Sequence, residues 1–372
     1  MLFLWILIIS AGICLAITTG NCLFWPRVGK SDLHSLDSVS VLIPARNEAN
    51  NLPACLETVL EQGSVIGEIL IYDDHSADNT PQIIKAYCEQ SRKVKLVPAV
   101  SLPSDWSGKN FACAQLAKAA KREWVLFLDA DARLTANAVN RMLSEVQIRQ
   151  VTFLSCWPKL EMYTLAEKLL MPLLNFVVFS MYPGWLALIK RPEFACNPGL
   201  GLAHGACMLF ERKSYEQFGG HGQVKDEIFE DTRIAQRWRA DGKAGACLDG
   251  QDIIYLRMYS SFREIWSGFQ KNFFPAFSHE YNFWLFLSLH SLIFLYPFIY
   301  LLFYKSWLPL IVSLLVLLTR LMLVIRFRHS LLSVLFHPLG EFILILLGLS
   351  SWWRCKTGRG VVWKGRTYQK SA

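Results

Sequence analysis

Two aspartates spaced two apart, Asp129 and Asp131, follow the apolar run Trp124-Val125-Leu126-Phe127-Leu128, and a second acidic pair, Glu230-Asp231, lies farther along the chain. The run reads as a buried strand, so both carboxylates fall at its C-terminal end, the edge where open α/β sheets hold ligands. Residues i and i+2 of an extended segment face one side, and two hard oxygen donors on one side suit Mg²⁺ or Mn²⁺ carrying a diphosphate. A cation there offsets charge building on a departing phosphate group. The competing reading is a strand-to-helix turn whose Asp caps the next helix. Asp231 is the candidate general base, because a carboxylate within hydrogen-bond reach of an alcohol takes its proton as the oxygen attacks. Glu230 is read as orienting that base or its loop, and the pair can also cap a helix over 232–240, a role compatible with catalysis.

The elements that must position these groups alternate. Residues 40–44, 68–72, 94–97 and 124–128 read as strands, and 51–62, 80–91 and 109–120 as helices, the rhythm of βαβ units in a mostly parallel sheet. Further candidates sit at the ends of these elements. Asp73 and Asp74 close a strand, where a carboxylate can accept from a nucleobase N–H or a ribose hydroxyl. Lys109 opens a helix after Gly108, so its ammonium and the helix N-terminal amides can together hold a phosphate; the alternative is a solvated first-turn lysine. Arg46 and Glu48 are either an ion pair steadying the first loop or direct ligand contacts.

Composition limits the function classes. Of 372 residues, 53% are hydrophobic, too many for a purely soluble protein. The first charge is Arg27, so residues 1–26 read as a retained membrane anchor without the basic start of a cleaved signal peptide. Arg27 and Lys30 behind it place a domain over 38–275 in the cytoplasm, giving a multi-pass cell-membrane protein. Residues 281–353 form a C-terminal membrane region. Within it, 281–304 and 306–325 read as spans, the second interrupted by Arg320. Residues 330–353, broken by His337, Pro338 and Glu341, read as a re-entrant or interfacial hairpin turning near Pro338-Leu339-Gly340, which keeps the basic tail 354–372 cytoplasmic. Residues 169–189 carry no charge but are interrupted by Pro172, Pro183 and Gly184 and bracketed by Lys168 and Lys190. They read as a kinked interfacial segment able to guide a lipid, or else as a buried helix on the sheet. The net charge of +8 suits anionic headgroups and diphosphates; no nucleic-acid motif accompanies it. Ten cysteines without a Cys-x-x-Cys pair indicate neither a zinc site nor a disulfide framework. A transporter would need more spans and paired intramembrane charges in repeats.

Five segments, in order, resemble the family 2 glycosyltransferases over about residues 39–271. Val41-Leu42-Ile43-Pro44-Ala45-Arg46-Asn47-Glu48 is similar to that family's first nucleotide-binding loop, and Ile71-Tyr72-Asp73-Asp74-His75-Ser76-Ala77-Asp78 to its uracil-binding strand end. Trp106-Ser107-Gly108-Lys109-Asn110 resembles a donor-loop motif, Leu128-Asp129-Ala130-Asp131 the metal motif and Phe229-Glu230-Asp231 the base motif. The resemblance implies a GT-A (Rossmann-like) α/β fold: a mixed, mostly parallel sheet with flanking helices, joined here to N-terminal and C-terminal transmembrane helices. It implies a UDP-sugar donor, UDP-glucose, held by Pro44, Arg46, Asn47, Glu48, Asp73, Asp74, Lys109 and Asp129. It further implies a divalent metal, Mn²⁺ or Mg²⁺, on Asp129 and Asp131, and inversion at the anomeric carbon with Asp231 as base and Glu230 beside it.

His204-Gly205 resembles the family's acceptor-side segment; the alternatives are a structural histidine and a tight-turn glycine. Membrane members carry Gln-x-x-Arg-Trp near residue 260, a pattern this chain lacks. Arg263 and Trp266 are either substitutes for it or interface anchors. That departure and the few spans argue against a processive polysaccharide synthase. Within the family, 226–259 and the tail 358–366 are similar to membrane carotenoid glucosyltransferases of the hydroxychlorobactene type. Ceramide and diacylglycerol enzymes share the architecture, so the expected acceptor is an apolar lipid alcohol. The reading from another class is a non-catalytic membrane scaffold that binds a sugar nucleotide or lipid without turnover.

Overall fold

The computed structural model describes residues 1–30, 36–189, 191, 194, 196–277, 279–357, 361–363 and 366–368. Helix α1 (Leu2–Phe24) is followed by β1 (Val39–Ala45), α2 (Leu52–Leu60), β2 (Ile66–Asp73), α3 (Thr80–Gln90), β3 (Val94–Val97), α4 (Gly108–Ala119) and β4 (Trp124–Leu128). Then come β5 (Ala132–Leu134), α5 (Ala138–Arg149), β6 (Phe153–Trp157), β7 (Lys159–Leu160), α6 (Leu165–Leu170) and α7 (Pro172–Met181). Next are β8 (Cys207–Glu211), α8 (Arg212–Phe218), α9 (Glu230–Ala240), β9 (Gly245–Asp249), β10 (Ile254–Leu256) and α10 (Phe262–Asn272). The chain closes with α11 (Glu280–Phe294), α12 (Tyr296–Phe303), α13 (Trp307–Phe327), α14 (Leu332–Leu335), α15 (His337–Lys356), β11 (Val361–Trp363) and β12 (Arg366–Tyr368). The strands and helices expected before residue 130 form within two residues of their anticipated ends.

Two compact units result. A sheet unit comprises Pro26–Glu161 and Leu186–Met258, and a helical unit comprises Met1–Trp25, Met162–Trp185 and Tyr259–Ala372. The sheet unit ends at Met258, and the interrupted apolar segment 169–189 is divided, with 169–185 in the helical unit and 186–189 in the sheet unit.

In the sheet unit the strand order is β3-β2-β1-β4-β8-β6-β9. Among the described residues of this seven-stranded sheet, only β8 runs antiparallel to its neighbours. Val39, Val41, Leu42 and Ile43 of β1 are fully buried, as a parallel strand covered on both faces requires. The register of the β4–β8 pair sets Leu128 opposite Cys207. The chain leaving β4 thus meets the chain entering β8, and the Asp129 N–H donates to the Ala206 carbonyl at 3.1 Å. Below that edge, Phe153 stacks on Phe210 with centroids 4.4 Å apart, and Trp238 is fully buried beside them. Trp238 is thus a core side chain.

In the helical unit, α1 and α13 are long and apolar enough to cross a bilayer, and α11 with α12 forms a third candidate bent by 43°. Leu173, Phe176 and Phe179 of α7 are buried. The Asn21 amide of α1 donates to the Phe179 and Tyr182 carbonyls at 2.9 and 2.8 Å, satisfying groups left free at the end of α7. The alternative of a helix buried on the sheet is corrected: α7 packs among helices, and Arg320 of α13 donates to the Pro172 carbonyl at 3.3 Å. The hairpin turn expected at Pro338-Leu339-Gly340 is also absent. These residues lie in the first turn of α15, where proline's missing N–H costs nothing. Arg320 and Glu341, which interrupt the apolar runs, are buried, and the His290 ring lies 2.8 Å from Glu341. Of the expected basic tail, Arg354 and Lys356 belong to α15, whereas Arg359, Lys364 and Lys370, like Lys190, lie outside the described residues.

Candidate active site

The loops after β1 and β2 are hydrogen-bonded to each other. Asn47 adopts a left-handed backbone at φ 53°, which a short amide side chain tolerates. Its N–H donates to the Ser76 hydroxyl at 2.9 Å while its side-chain oxygen accepts from the Ala77 N–H at 2.8 Å. The Glu48 N–H donates to Thr80 and the Ala49 N–H to Asp78, at 2.8 and 3.1 Å. Arg46 donates to the Asp74 carbonyl at 2.5 Å, with the Asp74 carboxylate 3.9 Å away. Asp73 accepts from the Ser76 N–H at 3.2 Å. Pro44, Arg46, Asn47, Glu48, Asp73 and Asp74 thus form one braced edge. Ser76, Asp78 and Thr80 lock it, roles the sequence reading did not assign; the Ser/Asp/Asn/Thr run after β2, a loop composition, was the available signal.

Lys109 is held by a second brace. Ser107 caps α4 by accepting from the Asn110 N–H at 3.3 Å, and its own N–H donates to the Lys225 carbonyl at 2.7 Å. The Asn110 amide donates to the carbonyls of Val224 and Glu227 at 2.6 and 3.0 Å. These bonds fasten the start of α4 to the loop that leads into α9, explaining a motif residue that the sequence left without a role. As a result the Lys109 ammonium lies 2.9 Å from Asp129 and 3.0 Å from Glu230. Burial opposes its charge, yet the two carboxylates outweigh that and hold its pKa well above the ordinary lysine range. A solvated first-turn lysine is thereby set aside.

No helix follows Asp129: a turn closed by the Ala132 N–H to the Asp129 carbonyl at 3.0 Å leads directly into β5. The helix-capping alternative for the Asp-x-Asp motif falls with that observation. Among the described residues no three His, Cys, Asp or Glu side chains cluster to form a complete metal cage. Asp129 and Asp131, both half-buried, instead fit a hard cation that completes its shell with water and substrate phosphates, the habit of Mg²⁺.

Helix α9 starts at Glu230, two residues earlier than expected, so both acids sit in its first turn. Their charge is favourable at a helix N-terminus. Asp231 accepts from the Gly205 N–H at 2.7 Å and from the Thr232 N–H at 2.6 Å. Burial and then the Glu230 charge push its carboxyl up to about 7, although Thr232, Lys109 and Gly205 pull the other way. Glu230, expected to orient the base or its loop, also reaches Lys109 directly.

Gly205 is needed for space: a Cβ there would meet the Asp231 carboxylate at 3.2 Å and the Lys109 ammonium at 3.4 Å. His204 is buried, and its Nδ1 accepts from the Ala206 N–H at 3.3 Å. Its ring packs edge-on to Trp157 at 5.1 Å, and burial, aided by Lys109, lowers its pKa to about 3 and leaves it neutral. His221 is likewise buried, its ring 2.5 Å from the Tyr215 hydroxyl. Arg263 and Trp266 belong to the helical unit, where Arg263 is exposed on α10 and Trp266 packs on Phe262 at 5.8 Å.

A mixed sheet with paired nucleotide-loop motifs and an Asp-x-Asp motif at its C-terminal edge defines the GT-A class of fold. Residues 40–219 match the family model described as Glycosyl transferase family 2. It is 26% identical over 246 residues to a 4,4'-diaponeurosporenoate glycosyltransferase of Staphylococcus haemolyticus (strain JCSC1435), covering 65% of this chain and 63% of that protein. The enzyme of the same name from Staphylococcus aureus (strain USA300) is 23% identical over 241 residues, covering 63% and 60%. The chain therefore spans less than two thirds of the length of either relative. Among solved structures, a mannosyltransferase of Pyrobaculum calidifontis in complex with GDP-Man and Mn²⁺ aligns with TM-score 0.49 and 15% identity, over 93% of this chain and 98% of that one.

Proposed function

We propose that the protein is a membrane-bound, inverting glycosyltransferase that moves glucose from UDP-glucose to an apolar lipid acceptor of carotenoid type. The observation that carries this reading is the Asp231 carboxyl, fixed by two backbone N–H groups and raised to about 7 beside Lys109 and Asp129. A group with that pKa is matched to general-base work at neutral pH. The braced loops after β1 and β2 hold the uridine, with Asp73 and Asp74 as acceptors for its N–H and hydroxyl groups. Lys109 and the start of α4 bind the diphosphate. Asp129 and Asp131 are the residues to hold Mn²⁺ or Mg²⁺, which when bound neutralises charge on the leaving diphosphate. Asp231 takes the proton of the acceptor hydroxyl as that oxygen attacks the anomeric carbon, and in-line displacement inverts the centre.

The apolar helices α1 and α13 and the bent pair α11–α12 support a multi-pass membrane location, and Arg27 and Lys30 behind the first apolar segment support a cytoplasmic sheet unit. The names of the staphylococcal relatives support a carotenoid-type acceptor. The test is transfer of labelled glucose from UDP-glucose to the lipid extract of source cells by purified protein with Mn²⁺, beside Asp129→Ala and Asp231→Asn. Transfer lost in both variants supports the reading, and the labelled lipid names the acceptor. UDP-glucose binding without transfer to any lipid overturns it in favour of a binding scaffold.

A further inference from the structure

Lys109 touches both carboxylate oxygens of Asp129, at 2.9 and 3.1 Å, and Glu230 at 3.0 Å. Its backbone cannot follow its ammonium, because Ser107 and Asn110 fasten the start of α4 to the loop at Val224–Glu227 by the bonds described above. The side chain can move: it is about one third exposed, and Gly205 leaves the space beside its ammonium free of a Cβ. A divalent cation on Asp129 would therefore share one carboxylate with a fixed-origin ammonium only a few ångströms away. Like charges at that range in a partly buried site repel by several times the thermal energy. A diphosphate changes the balance, since it offers the ammonium a more highly charged partner on the side of the helix N-terminus, which itself favours anions.

We propose that Lys109 and the divalent cation compete for Asp129, and that the donor diphosphate ends the competition by taking the ammonium, so that cation and nucleotide bind as a cooperative pair. The inference rests on the donor and metal assignments made above and adds a coupling between the two ligands. Lys109 is then a positioning residue for the metal as well as a ligand of the phosphate. Glu230 has a defined part: it gives the ammonium a second anchor.

The experiment is titration of Mn²⁺ into the full-length protein in detergent, read by the electron paramagnetic resonance signal of free Mn²⁺, with and without UDP. The wild-type protein should bind Mn²⁺ at least about fivefold more tightly when UDP is present, the lower end of ordinary coupling between sites. Lys109→Met should bind Mn²⁺ alone at least about fivefold more tightly than wild type, with the UDP enhancement reduced. Lys109→Arg, which keeps the charge, should keep the weak Mn²⁺ binding of the wild type in the absence of UDP. Lys109→Gln serves where the methionine variant fails to fold. Mn²⁺ affinity unchanged or weakened in the uncharged variants, with co-binding of Mn²⁺ and UDP intact in wild type, overturns the competition alone. Wild-type protein that binds neither Mn²⁺ nor UDP in any combination overturns the donor and metal assignments as well.

Discussion

Replacing Asp231 by Asn removes the group that takes the proton while leaving its size and one acceptor oxygen. That oxygen can keep one of the two N–H groups now bound, from Gly205 or Thr232, and the new amide leaves the other without its acceptor. The structural loss is about 1–3 kcal/mol, partly offset because a carboxylate no longer has to be buried beside Glu230. The catalytic loss is larger: a positioned general base is worth about 10²–10⁴ in rate, which is roughly 3–5 kcal/mol of barrier. A carboxyl with pKa about 7 is half ionised at neutral pH. In wild type, kcat/KM for a hydroxyl acceptor should therefore rise about tenfold from pH 6 to pH 8 and level off above that, reporting the free enzyme. The assay is UDP release coupled to product formation across that range, with UDP affinity measured in parallel. The variant should lose the rate and the rise together while binding UDP normally. More than a tenth of wild-type kcat/KM in the variant, or a wild-type profile flat from pH 6 to 8, refutes the base assignment. A carboxylate acceptor, already ionised, needs no base and would feel neither change, so the same assay separates lipid alcohols from lipid acids.

Asp231 also makes stability depend on pH. Its folded pKa is above its unfolded value, so between about pH 4 and 7 the folded chain keeps a proton that the unfolded chain has released, and this group's contribution falls as pH rises through that window. Thermal melts of Asp231→Asn should lack that component of the slope. Gly205→Ala places a methyl 3.2 Å from the Asp231 carboxylate, close enough to shift it by a few tenths of an ångström; kcat should fall about tenfold with little change in melting temperature. Gly201→Ala should do the reverse, because its Cβ would lie 2.5 Å from the Gln236 backbone nitrogen, and backbone cannot yield cheaply. A loss of about 1–3 kcal/mol in denaturant unfolding is expected, with the activity of the remaining folded protein retained. Glu341→Leu leaves His290 buried opposite an apolar side chain and should cost a few kcal/mol, measured as a lower melting temperature in detergent.

The alternating segments before residue 130 were legible because strand and helix periods and their end residues are local properties. For the same reason Asp129, Asp131, Glu230 and Asp231 stood out: carboxylates next to apolar runs mark element ends wherever the chain goes. Their companions did not stand out. Ser76, Asp78, Thr80 and Asn110 look like ordinary loop and helix-start residues, and their value lies in partners about thirty to more than a hundred positions away. The helical unit shows the same limit. Pro338 was read as a turn and instead starts α15, since proline ends a helix from inside but opens one at its first turn, and sequence alone does not say which side of the boundary it occupies. The sequence by itself determined the alternating sheet, the apolar helices and the kinds of chemistry available at each strand end. Only the tertiary structure decided that the antiparallel entry of β8 meets the exit of β4, that Lys109 stands between Asp129 and Glu230, and that Gly205 rather than His204 faces Asp231. Side-chain type follows from local sequence, but distance and burial, which raise one carboxyl and tie another to a lysine, exist only once remote segments have packed.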